Sequence, residues 1–181
     1  MNAPFESALV VLIPEAEDLV ENFRNQYDPS AALGMPAHVT ILYPFKPPSE
    51  ITADVILSLE ELFAKFPAFN VSFTESRRFP NVLYLSRTEA ERFESLTVIV
   101  TKRFPETLPY GGRFADIIPH LTVAEIGDER QLDKVAADFE RAAERRLPIQ
   151  TRVKSIALMD NQNGRWQVRT RFALSKESRA G

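Results

Sequence analysis

The chain has 181 residues, a net charge of −3, 44% hydrophobic and 26% charged residues, and no cysteine. This is the composition of a soluble globular domain: it is long enough to bury about 70% of its unfolded surface, and no apolar run approaches the roughly 18 residues of a membrane span. It excludes a disulfide framework, a thiol nucleophile and Cys-ligated metal, and the acidic balance does not suit a protein that grips long nucleic acid through many phosphates.

Met1 to Ser7 has no basic region ahead of an apolar one, so no secretory signal is expected and the cytoplasm is the expected compartment. Ala8 to Ile13 is a continuous apolar run closed by Pro14, which suits a buried strand. Glu15 to Tyr27 has helical spacing through Leu19, Val20 and Phe23, and Asp28-Pro29-Ser30 ends that helix. After a loop, Pro36 biases the chain toward an extended segment that begins at His38. Pro47-Pro48 and Ser49, read as an N-cap, open a helix carrying Ile51, Val55, Leu59, Leu62 and Phe63, and Phe69 to Phe73 alternates as a strand.

The second half repeats this order. Val82 to Leu85 reads as a strand and Glu89 to Phe104 as a helix, with Phe93, Leu96 and Val100 on one side. A loop from Pro105 to Asp116, containing Gly111-Gly112, leads to Pro119 and a strand at His120. Asp128 caps a helix carrying Leu132, Val135, Ala136 and Phe139; a strand follows near Val153 to Leu158, pairing as a hairpin with Trp166 to Leu174. The expected organisation is one domain of two half-repeats, about 7–79 and 82–174, with 175–181 a frayed tail. A pseudo-twofold arrangement of such halves would bring their equivalent parts together across a groove.

Those equivalent parts are chemically pointed. The only two histidines lie in matching triplets, His38-Val39-Thr40 and His120-Leu121-Thr122. With ten threonines in the chain, a Thr falls two places after a given His at a chance of roughly 0.06, and after both at roughly 0.003. On a strand that spacing puts imidazole and hydroxyl on one face, about 6.6 Å apart. Two histidines flanking a phosphorus can divide the proton transfers of an in-line displacement, one as base and one as acid, while Thr hydroxyls donate to the non-bridging oxygens. Opening of a cyclic phosphate suits this set, and no step requires a metal or cofactor. Since the reverse reaction uses the same groups, hydrolysis and ligation are not distinguished at this level.

The paired triplets resemble the motifs of the 2H phosphoesterase superfamily, which includes RNA 2',3'-cyclic phosphodiesterases and 2'-5' RNA ligase-like proteins. Pro109-Tyr110-Gly111-Gly112 is also similar to this group, and the order of elements agrees through Leu174. The resemblance implies an α+β fold, bilobal and pseudo-twofold, with two antiparallel sheets flanking a central groove and helices on the outside. It also implies a metal-independent site in which His38, Thr40, His120 and Thr122 are catalytic. Ligase-type members often follow the first motif with a Phe-Leu-Gly-like ending and place an Arg soon after the second; here Tyr43-Pro44-Phe45 and Glu125 stand in those regions, which weighs against ligation.

Further substrate contacts are sought in the aromatic and cationic residues nearby. Tyr110 on the loop is the leading candidate to stack a base, Tyr43 and Phe45 follow the first motif, and Arg113 can reach a phosphate. Tyr84 and Trp166 are read as core or strand-face residues, Arg77-Arg78 as a solvated strand end, and Glu140 to Arg146 as an exposed helix face. A zinc site is disfavoured because no His lies near another in sequence. The expected partner is a nucleotide or short RNA end bearing a cyclic phosphate, bound by a monomer without membrane or long nucleic acid. The competing readings are a non-catalytic nucleotide-binding module of the same fold and a 2'-5' RNA ligase.

Overall fold

Eight strands form two four-stranded antiparallel sheets, ordered β2-β1-β7-β8 and β5-β4-β3-β6. The computed structural model describes residues 5–112 and 118–176. The first sheet comprises β1 (Ser7–Leu12), β2 (His38–Leu42), β7 (Ser155–Asp160) and β8 (Gln167–Ala173). The second comprises β3 (Phe69–Phe79), β4 (Val82–Arg87), β5 (Leu121–Glu125) and β6 (Ile149–Val153). The helices are α1 (Glu17–Tyr27), α2 (Pro29–Ala32), α3 (Ala53–Phe63), α4 (Ala90–Arg103) and α5 (Glu129–Ala143). The architecture is the expected α+β one, with the edge strands β2 and β5 of the two sheets in contact.

The two sheets interlock. β3, from the first half of the chain, lies beside β4 in the second sheet, while β7 and β8 lie beside β1 in the first. The helices cross over as well, α1 packing against β5 and α4 against β2. Phe23 of α1 meets Phe139 of α5 edge-on at 5.2 Å, and Phe69 of β3 meets Phe93 of α4 at 5.3 Å, so aromatic contacts bind elements distant in sequence. Phe63, Phe93 and Phe139 are fully buried, each on the apolar face that its helical spacing marked.

Several boundaries differ from the expected ones. The strand read near Val153 to Leu158 is two strands, β6 and β7, which part at Lys154 and enter different sheets; a one-residue break between strands leaves no turn signal to reveal such a crossing. β7 does pair with β8 as the expected hairpin. Thr52, not Ser49, caps α3, its Oγ1 accepting from the Val55 N–H at 3.3 Å, because Pro48–Glu50 forms a separate 3-10 turn. β3 runs on to Phe79 because Arg77 and Arg78 pair with Tyr84 and Leu83 of β4. Asp28 both ends α1 and caps α2, its Oδ1 accepting from the Ser30 N–H at 2.9 Å. Ser175 is anchored rather than frayed, donating to the Phe66 carbonyl and accepting from Ala68, each at 2.9 Å. Among the described residues, no helix is long and apolar enough to cross a membrane.

Candidate active site

The two triplets have the same local build. Burial alternates along His38-Val39-Thr40-Ile41, with His38 and Thr40 half-buried and Val39 and Ile41 in the core; His120-Leu121-Thr122-Val123 repeats the pattern. In each triplet the imidazole Nδ1–H donates to a backbone carbonyl two residues upstream, His38 to Pro36 at 2.8 Å and His120 to Ile118 at 2.7 Å. A carbonyl can only accept, so Nδ1 carries the proton and Nε2 is the free lone-pair nitrogen of each neutral ring. The entry to β2 is fixed further by Ala37, whose N–H donates to Glu17 Oε1 at 2.6 Å and whose carbonyl accepts from Ile13 at 2.8 Å.

Each His strand also carries a β-bulge just beyond its Thr. Val10 pairs with Thr40 but Leu9 with Leu42, leaving Ile41 extra; Tyr84 pairs with Thr122 but Leu83 with Ala124, leaving Val123 extra. Two consecutive residues, Ile41-Leu42 and Val123-Ala124, therefore enter the core, and the next residue swings back to the side of the Thr. That residue is Tyr43, immediately after β2, and Glu125, the last residue of β5, and both line the same cavity as Thr40 and Thr122. The Ile41 carbonyl accepts from Thr97 Oγ1 of α4 at 2.8 Å, which satisfies a backbone group at the bulge.

This cavity, of about 690 Å³, is lined by His38, Thr40 and Thr122, with Met35, Tyr43 and Trp166 among its apolar wall. Its floor on the first sheet is made of the small side chains Ala8 and Val10, packed with Ala157 and Met159. Tyr43 donates its hydroxyl to Glu6 Oε2 at 2.7 Å and meets Trp166 edge-on at 6.2 Å. His120 is not among the lining residues; its ring stands edge-on to Phe79 at 5.1 Å and to Tyr84 at 5.3 Å, and those two rings stack on each other at 4.2 Å. His120 is close enough to His38 for its charge to oppose protonation of His38, the smallest of the causes acting on that ring.

Both imidazoles are held neutral. Burial is the main cause for His38, reinforced by the Arg24 charge, and lowers its pKa from 6.5 to about 4. The pKa of His120 is also lowered, first by burial and then by Arg87, against the opposing hydrogen bond to Ile118. Arg24 is itself buried, its Nε and Nη2 donating to Asp28 Oδ2 at 3.0 and 2.9 Å, while Asp28 Oδ1 accepts from Ser30 Oγ at 2.7 Å. Asp28 and Ser30 line the cavity beside His38.

Of the expected site residues, His38, Thr40, Thr122 and Tyr43 come together in one cavity, with His120 alongside. Phe45 does not join them: it is buried in the core, edge-on to Phe104 at 5.3 Å. Arg113 and the Tyr110 side chain lie outside the described residues. Trp166, read from sequence as a core or strand-face residue, is a cavity wall, and Arg24, Asp28, Ser30 and Arg87 were not among the expected site residues. A buried arginine inside an amphipathic helix carries no signal in one sequence. Asp28-Pro29-Ser30 did carry one, as a helix stop, without indicating what it faces.

Two antiparallel sheets whose adjoining edges each present an imidazole and a hydroxyl define the architecture of the 2H phosphoesterases. The chain belongs to the 2'-5' RNA ligase superfamily, whose family model matches residues 13–165. A protein of Bacillus licheniformis named "Putative phosphoesterase" is 29% identical over 171 residues, covering 91% of this chain and 96% of that one. A Bacillus pumilus protein of the same name is 26% identical over 174 residues, covering 93% and 97%. Among solved structures, a Thermus thermophilus protein is similar with TM-score 0.61 and 20% identity, covering 96% of this chain and 100% of that one. E. coli LigT in its apo form is similar with TM-score 0.59 and 16% identity, covering 96% and 99%. LigT has also been solved in complex with 3'-AMP, ATP and NADP+.

Proposed function

We propose that this protein is a metal-independent phosphodiesterase that opens a 2',3'-cyclic phosphate, or cleaves a 2'-5' phosphodiester, in a nucleotide or at an RNA end. The observation that carries the reading is the pair of matching His-Thr triplets at adjoining sheet edges, each with Nδ1 tied to a carbonyl and Nε2 free to exchange a proton. Water attacks phosphorus and gives its proton to one neutral Nε2; the P–O bond to the sugar breaks, and the leaving oxygen takes a proton from the other imidazole, which must enter protonated. Thr40 and Thr122 donate to the non-bridging oxygens, where charge accumulates. Bound phosphate favours the protonated partner by opposing the depression of its pKa.

The nucleotide complexes of LigT support a nucleotide-sized occupant for the corresponding groove here, with Tyr43 and Trp166 offering the base an aromatic wall. Turnover of adenosine 2',3'-cyclic phosphate in the presence of EDTA tests the reading. Wild-type activity should persist, and His38→Ala and His120→Ala should each lose about 100-fold to 10,000-fold. Unimpaired turnover in either variant would remove the mechanism. Stoichiometric binding of the cyclic nucleotide with no product after long incubation would favour a non-catalytic nucleotide-binding protein instead.

A further inference from the structure

The charges around the groove are arranged unequally. The two cations whose charge acts on the imidazoles do not line the cavity: Arg24 is buried and committed to Asp28, and Arg87 is partly buried with an Nε that has no hydrogen-bond partner. The described residues that line the cavity include no Lys or Arg. Their charged members are Glu6, Asp28 and Glu125, and Asp28 is neutralised by Arg24 while Glu6 accepts from Tyr43. Glu125 is exposed to solvent, and the β5 bulge turns it onto the Thr122 side rather than away. Without that extra residue, strand alternation would put a side chain three places beyond Thr122 on the opposite face.

The matching bulge in β2 presents Tyr43 instead, so the equivalent position offers an aromatic surface on one strand and a negative charge on the other. A nucleoside with one phosphate at the imidazoles would leave an uncharged body to lie on this apolar and acidic wall. A second phosphate in the same cavity would face Glu125 with no described cation lining the wall to offset the repulsion.

Resting on the cyclic-phosphate reading above, we infer that the groove selects substrates carrying a single phosphate, nucleoside 2',3'-cyclic phosphates rather than RNA ends, and that Glu125 is the residue that rejects a further phosphate. The mechanism is repulsion in a partly solvated groove, so the discrimination should be about ten-fold at low salt and shrink as salt is added.

The test compares kcat/KM for adenosine 2',3'-cyclic phosphate with that for the same compound carrying a 5'-phosphate. Wild type should prefer the first by about ten-fold, Glu125→Gln should bring the ratio near one, and Glu125→Lys should invert it. Because a ratio is read, partial loss of folded protein in a variant does not mimic the effect. Equal rates on both substrates in wild type, or an undiminished ratio in Glu125→Gln, would overturn the inference. If no cyclic phosphate is turned over, the functional reading fails, and calorimetry with 3'-AMP and adenosine 3',5'-bisphosphate still decides the selectivity. Tighter binding of 3'-AMP that is lost in Glu125→Gln would sustain it; equal affinity, or no binding of either, would overturn it.

Discussion

His38 donates its Nδ1 proton to the Pro36 carbonyl at 2.8 Å, so the backbone two residues before the imidazole sets which ring nitrogen faces the groove. The same device holds His120 against Ile118 at 2.7 Å. In both strands the residue between, Ala37 or Pro119, is buried, so the chain that holds the imidazole is itself held by packing.

The depressed imidazoles make the acid side of the pH profile informative. Burial disfavours the charged ring, so the protonated partner needed for leaving-group departure is scarce in the free protein above the lowered pKa values. The kcat/KM optimum should therefore fall below pH 6.5, with an acid limb set by His38 at about 4. The kcat profile should lie at higher pH, because phosphate in the complex favours the imidazolium. Initial rates across pH 3.5–8 would show this, and an optimum above pH 7 in kcat/KM would contradict it.

Thr40→Val and Thr122→Val keep side-chain shape while removing one hydroxyl each. Each should lower kcat by about 100-fold with little change in KM, as expected for donors whose role is greatest at the transition state. A loss seen only in KM would assign these hydroxyls to ground-state binding.

Arg24→Met should raise the His38 pKa, since it removes a cation and leaves the opposing Asp28 charge in place. It should also destabilise the protein by about 3–5 kcal/mol by stranding a buried carboxylate. NMR titration of the His38 ring reads the first effect and urea denaturation the second. Arg24→Met with Asp28→Asn should recover much of the lost stability.

Stability should itself follow His38. Its pKa is about 4 when folded against 6.5 unfolded, so between those values the unfolded chain binds more protons. The contribution is fully present above pH 6.5 and is lost as pH falls toward 4, amounting to at most about 3 kcal/mol for this half-buried group. His38→Gln should flatten this part of the stability curve measured by denaturant titration.

Trp166→Ala should raise KM for a nucleoside cyclic phosphate by roughly 5-fold to 150-fold, corresponding to about 1–3 kcal/mol of lost base stacking. Turnover at saturation should change much less. An unaltered KM would show that the base lies elsewhere than on the Tyr43–Trp166 wall.

The elements that define the fold were legible because each pairs one buried face with a clear period, as α5 does from its Asp128 cap, which accepts from the Gln131 N–H at 2.8 Å, to Phe139. The His-Thr triplets were legible because duplication itself is a signal. The crossing at Lys154 was not, since a single residue separates β6 from β7 and only sheet membership tells them apart. Nor was the inward turn of Glu125, because a bulge depends on the partner strand's register, which a single strand does not encode. Phe45 failed as a site residue for the converse reason: two places beyond Tyr43, it has already turned into the core against Phe104.

The exchange of β3 and β7 between sheets has a consequence for biosynthesis. β1 and β2 emerge from the ribosome early, but β7, their sheet's third strand, begins only at Ser155 and β8 ends at Ala173. A two-strand ribbon is marginally stable at best in water, and domains complete themselves as units, so His38 gains its fixed surroundings only after β7 and β8 have been made. Until β8 is made, the first imidazole of the nascent chain lacks the sheet that fixes its orientation.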